Sequence, residues 1–287
     1  MPRTPAVRLG VSLVLAGAVA VTPSGLSAQG NVLPTPVIAI DSTDPVAVLV
    51  SRLDLERYKA TIKGLTQFGD RRQGTKRNRD AVDWIEAQLK SYGCSNVERL
   101  TYEYNPPTPA ARPAGAAGGN AVGGGAARPS GPPVAAGGGR ARGIRTRTGV
   151  PNHSRRQPDA RLRALKADPS TPGQRQEVFC TQVGSTRPDE MYIVGGHMDG
   201  IGWGEAANDD ASGSAIVMEL ARIFSDPAVK TDRSIRFVLW NNEETGLNGA
   251  RAYVEQRAKL QGVEEPKGSG KYPEPKWLGM IQHDMMM

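Results

Sequence analysis

Three short apolar runs, each closed by residues able to ligate a metal, constrain this chain most. Met191–Gly196 leads into His197 and Asp199. Ser234–Trp240 leads into the adjacent pair Glu243 and Glu244, and Trp277–Ile281 leads to Asp284. Runs of this length fit strands buried in a sheet. Helical spacing predicts helices at 211–225 and 247–259 between strands at 177–183, 191–196, 234–240 and 277–283. Strands alternating with helices specify an α/β core. In such sheets the strand ends form the binding crevice, and here those ends carry imidazole and carboxylate groups.

The residue types suit one kind of chemistry. Zinc takes nitrogen from His and oxygen from Asp or Glu, and paired catalytic metals stand about 3.5–4 Å apart. His197 can bind one ion, Asp209 can bridge two, and Asp284 is a further oxygen donor. Of Glu243 and Glu244, one can bind metal while the other faces the reacting water. Asp199 lies two residues after His197. In an extended segment i and i+2 share a face, so its carboxylate can hold the imidazole from behind, as such carboxylates do for metal-bound His. Taken singly, each residue has a plainer reading. His197 and Asp199 could be a surface hydrogen bond, Asp209 or Asp210 a helix N-cap, and Glu243–Glu244 a solvated turn. Their combination at strand ends and a helix start points to a metal site.

The order His197-Met-Asp199, Asn208-Asp-Asp-Ala-Ser-Gly213, Asn242-Glu-Glu-Thr-Gly246 and Asp284-Met285 resembles the co-catalytic zinc exopeptidases of clan MH. These include secreted bacterial leucyl aminopeptidases, carboxypeptidase Q-like peptidases and, more distantly, glutaminyl cyclases. Phe68-Gly-Asp-Arg-Arg-Gln-Gly-Thr75 resembles the start of that catalytic domain. The resemblance implies a mixed central sheet flanked by helices, a phosphorylase/hydrolase-like three-layer sandwich. It implies two zinc ions: His197 as a ligand oriented by Asp199, Asp209 as the bridge, Glu244 and Asp284 as ligands, and Glu243 as general base and acid. It also implies a second metal-binding His late in the chain. His153 and His283 are poor substitutes, so the sequence is expected to be the N-terminal portion of a longer protein. Peptides are the implied substrates, with an aminopeptidase as first reading and a carboxypeptidase or dipeptidase as its neighbour. A binding module on a non-catalytic scaffold and a one-zinc glutaminyl cyclase-like enzyme are the readings from other classes.

The N-terminus reads as an export signal over residues 1–28. Arg3 and Arg8 precede the small apolar run Leu9–Val21, and Leu26-Ser-Ala28 fits a cleavage site. That apolar run is too short to span a membrane. A periplasmic or extracellular location follows, in which Cys94 and Cys180 can form a disulfide; two buried thiols are the alternative. A polar leader, 29–44, precedes the first part of the peptidase domain at 45–104. Helices are expected from Asp44 to Ser51, over Leu53–Phe68, over Asp80–Tyr92 and at 161–166, with a first strand at Val97–Tyr104.

Net charge +7 raises the question of nucleic acid. The charge is local. Residues 105–175 hold eleven Arg and one Lys against two Asp, and without them and the signal the rest is net acidic. The basic stretch lacks the interleaved aromatics on which bases stack, so no nucleic acid partner is expected. Its Gly/Ala/Pro/Arg composition predicts a flexible insert, leaving 176–287 as the zinc-binding part.

Overall fold

The computed structural model describes residues 41–94, 96–106, 157–201 and 204–286. The expected signal, most of the leader, residues 107–156 of the insert and His153 lie outside them.

The described chain builds a five-stranded sheet in the order β1-β2-β4-β3-β5. The strands are β1 (Val97–Tyr104), β2 (Gly173–Gln182), β3 (Arg187–His197), β4 (Arg233–Trp240) and β5 (Lys276–Gln282). β1 and β2 pair antiparallel, as do β2 and β4, whereas β3 runs parallel to both β4 and β5. Helices are α1 (Pro45–Val50), α2 (Leu55–Thr66), α3 (Lys76–Ser91), α4 (Ala160–Ala167), α5 (Gly213–Phe224) and α6 (Asn248–Arg257).

Alternation along the strands gives the sheet two apolar faces. Val178, Cys180, Val194, Phe237 and Leu239 pack with residues of α2, α3 and α5. Phe179, Ile193, Val238 and Trp240 pack on the other side with Ala252 and Tyr253 of α6. This is the expected three-layer arrangement. Because β3, β4 and β5 are parallel, their C-terminal ends lie along one edge of the sheet. His197, Glu243–Glu244 and Asp284 therefore arrive together.

Several boundaries move. α3 starts at Lys76 rather than Asp80, since Thr75 caps it by accepting the Asn78 N–H at 3.3 Å. The turn this adds, Lys76–Arg79, is charged and polar and carries no apolar period. β2 starts at Gly173, four residues early, because its polar opening pairs with β1 as far as Tyr104 opposite Gly173. The flexible insert expected over 105–175 needs correction at its C-terminal end. Asp159 caps α4, Arg77 of α3 donates to Leu165 O at 2.9 Å, and Arg175 is buried against Gln73. Polar anchors such as these leave no hydrophobic signature in sequence. Cys94, just before β1, is disulfide-bonded to Cys180 of β2, with Cα atoms 6.3 Å apart.

Candidate metal centre

β3 delivers His197 to the end of the sheet with only 1% of its side chain exposed. Its Nε2 faces three carboxylates: Asp209 Oδ1 at 3.2 Å, Asp284 Oδ1 at 3.8 Å and Glu243 Oε2 at 3.9 Å. One donor atom from each of His197, Asp209 and Asp284 lies within 4.8 Å of the others. The opposite nitrogen, Nδ1, bonds the main-chain carbonyl of Asp199 at 2.9 Å. The ring is thus held from behind, though by the backbone of Asp199 rather than by its carboxylate, which stands 3.8 Å away. That carboxylate instead accepts the Glu243 N–H at 3.0 Å. Asp199 therefore links His197 to the turn that carries Glu243.

Asp209 and Asp210 lie in an irregular helical turn, Ala207–Ser212, where both depart from helical torsions. Asp209 turns outward to the imidazole. Asp210 is fully buried and accepts the main-chain N–H groups of Gly213, His197 and Met285 at 2.7, 3.0 and 3.2 Å. One carboxylate thus joins the end of β3, the start of α5 and the segment after β5. Gly213 is required here, since a Cβ would collide with that carboxylate and with His283 O.

The neighbouring glutamates diverge as the sequence suggests. Glu243 points toward His197. Glu244 Oε1 accepts the Ile201 N–H at 3.1 Å and stands outside the tight His197–Asp209–Asp284 group, with the Asp209 charge close by. His283 is half-buried and is not part of that group.

Sequence reasoning did not single out Arg71. Its guanidinium is fully buried and donates to the carbonyls of Met198, Ala206, Glu205, Gly69 and Leu65, at 2.7, 2.8, 2.9, 3.1 and 3.4 Å. It fixes both ends of the loop between Asp199 and Asp209. The position lies within the Phe68–Thr75 motif, which was the available signal.

The electrostatics favour a cation. Burial acts to lower the His197 pKa, but the Asp209 hydrogen bond and the charges of Asp199, Asp210 and Glu243 carry it up to about 10. Burial lifts Asp210 to about 7, and burial with the Asp209 and Asp199 charges lifts Glu244 to about 7. Burial also raises Glu243. A metal in the cluster would take the place of the proton on His197, since ligands bind deprotonated. One imidazole with carboxylate oxygens is a donor set suited to zinc, and the convergence of three donor atoms fits such an ion. A cavity of about 360 Å³ opens beside Glu243 and Asp284, walled by Trp240, Leu247, Ala250 and Met280. A larger one lies by Pro188, Ser234 and Arg236, at the opposite ends of β3 and β4, and has no part in this chemistry.

The parallel strand ends and the converging donor atoms define an α/β protein with a candidate metal site. Residues 177–285 match the model of Peptidase family M28. The chain is 39% identical over 77 residues to Carboxypeptidase Q of Xenopus laevis, covering 27% of this chain and 16% of that protein. It is 37% identical over 74 residues to Aminopeptidase YwaD of Bacillus subtilis (strain 168), covering 26% and 16%. The matched stretch is thus about a sixth of the length of these relatives. Among solved structures, LapB from Legionella pneumophila aligns with a TM-score of 0.49 at 17% identity, covering 86% of this chain and 47% of that one.

Proposed function

We propose that the chain carries the catalytic centre of an exported zinc exopeptidase, with removal of N-terminal residues from peptides as its principal activity. The observation that carries this reading is the meeting of His197, Asp209 and Asp284 around one point, with the Glu243 carboxylate facing the same imidazole. His197, Asp209, Glu244 and Asp284 would hold two zinc ions. Zinc there would lower the pKa of the attacking water and polarise the scissile carbonyl. Glu243 takes the proton from that water and passes it to the leaving amine. Its raised pKa, set first by burial, suits a group that must both accept and release a proton. Asp199 holds both the His197 ring and the Glu243 backbone, so base and ligand keep their relative position. The acidic surroundings suit the ammonium or amine group of a free peptide N-terminus.

Similarity to Carboxypeptidase Q supports a second reading with the same centre, in which dipeptides or C-terminal residues are the substrates. The disulfide supports export, because such bonds persist in oxidising compartments. Among the described residues no helix is long and apolar enough to cross a membrane.

A set of peptides with free, N-acetylated or C-amidated termini tests the assignment. An aminopeptidase cleaves C-amidated peptides, spares acetylated ones and stops when a chelator is added. Cleavage that requires a free C-terminus supports the second reading. No chelator-sensitive cleavage of any peptide contradicts both.

A further inference from the structure

Asn241 lies two residues before Glu243, where β4 gives way to the turn, and is fully buried. Its side chain forms a reciprocal amide pair with Asn78, in the first turn of α3. Asn78 Nδ2 donates to Asn241 Oδ1 at 3.0 Å, and Asn241 Nδ2 donates to Asn78 Oδ1 at 2.9 Å. Asn241 Nδ2 also donates to Gln176 O at 2.7 Å, and its Oδ1 accepts the Asn242 N–H at 2.9 Å. The main chain is held as well. Tyr102 Oη donates to Asn241 O at 2.9 Å, and Asn241 N faces Glu177 Oε2 at 3.5 Å. Gly249 makes room for this arrangement, since a Cβ there would collide with Asn241 O and Glu177.

The clamp draws on α3, β1 and β2, which supply none of the metal-facing side chains. Immediately after it the backbone enters a left-handed conformation at Asn242, with φ 64°. Asn tolerates that region better than most residues. Glu243 follows, tied by its own N–H to Asp199. The backbone leading into Glu243 is therefore held by Asp199 on one side and by Asn241 on the other. We propose that Asn241, locked to Asn78, is a positioning residue that fixes the Asn242–Glu244 turn and so aims the Glu243 carboxylate. The kinetic part of this inference rests on the exopeptidase reading; the structural part does not. Displacing a reacting group by about 1 Å costs on the order of 10²-fold in rate, and loss of either amide leaves its partner buried with unmet hydrogen bonds.

Asn78→Ala tests this from outside the turn. Three quantities are compared with the wild type: amide hydrogen exchange across the whole chain, zinc content, and kcat and KM on a dipeptide. The expected result is faster exchange at residues 241–246, beside any at the Arg71 segment, whose carbonyl Asn78 Nδ2 also holds at 2.8 Å, and a kcat lowered roughly 10–100-fold in Asn78→Ala and in Asn241→Ser alike, with zinc content and KM within about twofold. Asn241→Ser, which also removes the amide pair, is read in the same way if Asn78→Ala exchanges faster throughout. Unchanged exchange in 241–246, or faster exchange there with unchanged kcat, overturns the proposal. So does uniformly faster exchange in both variants, which makes the pair a general support of the fold. If the wild type cleaves no peptide, the exopeptidase reading fails, and the exchange comparison alone decides whether the clamp exists.

Discussion

Asp209 and Asp210 are neighbours in sequence with opposite surroundings: Asp209 Oδ1 lies 3.2 Å from the His197 ring, while Asp210 accepts the His197 main-chain N–H at 3.0 Å. One carboxylate faces the reacting space, and the other fixes the backbone beneath it. Asp209→Asn should weaken zinc binding about tenfold or more, and in chelator it should cost only its single hydrogen bond to His197, less than the loss of Asp210. Asp210→Ala should lower stability by about 1–3 kcal/mol for each N–H left unpaired, whether or not zinc is present. Zinc titrations and thermal melts in chelator separate the two. Equal effects of both variants on zinc affinity and stability would contradict this division.

The family resemblance assigns the bridging role to Asp209 and leaves Asp210 with no role beyond a possible helix cap. Asp210 could be read as a helix cap, and it does cap: it accepts the Gly213 N–H at the start of α5. Its other two partners, His197 at the end of β3 and Met285 in the segment after β5, are distant in sequence, which spacing alone does not reveal. The strand ends were legible because apolar runs stop where side chains must meet water or metal. Arg71 and Asn241 were not. Each acts through main-chain carbonyls or a paired amide, so nothing in the local pattern marks the partner. The start of β2 was missed for a related reason, since pairing with β1 rather than burial of apolar side chains decides it.

Glu177 gives a pH signature of stability. Burial first, with the Asp199 charge adding to it, lifts its carboxyl to about 8 from an ordinary 4.5. The folded state therefore favours the protonated form. Its contribution is complete below about pH 4.5 and is lost as pH rises toward 8, at no more than about 1.4 kcal/mol per unit. Glu177→Gln should flatten this part of the stability profile, so that the variant's stability relative to the wild type rises between pH 5 and pH 8. Denaturant melts across that range measure it, and parallel profiles for the two proteins would contradict the assignment.

The Cys94–Cys180 bond closes a long loop, with 86 residues of sequence separation. Replacing both by Ser should cost about 2–4 kcal/mol, mainly by freeing the unfolded chain. Wild type treated with a reductant should melt like the variant, and the untreated protein should melt higher. If reduction leaves the melt unchanged, the bond adds nothing to stability.

The central claim is that Glu243 moves the proton while its neighbours hold the metal. Glu243→Gln keeps the size of the side chain and the N–H to Asp199 but removes the base. The decisive measurement pairs zinc content with kcat on a free-terminal peptide, for wild type and variant side by side. The account predicts equal zinc and a kcat reduced by about 10²–10⁴-fold, the range for loss of a general acid–base group. A variant that turns over like the wild type, or one that loses its zinc, would contradict it.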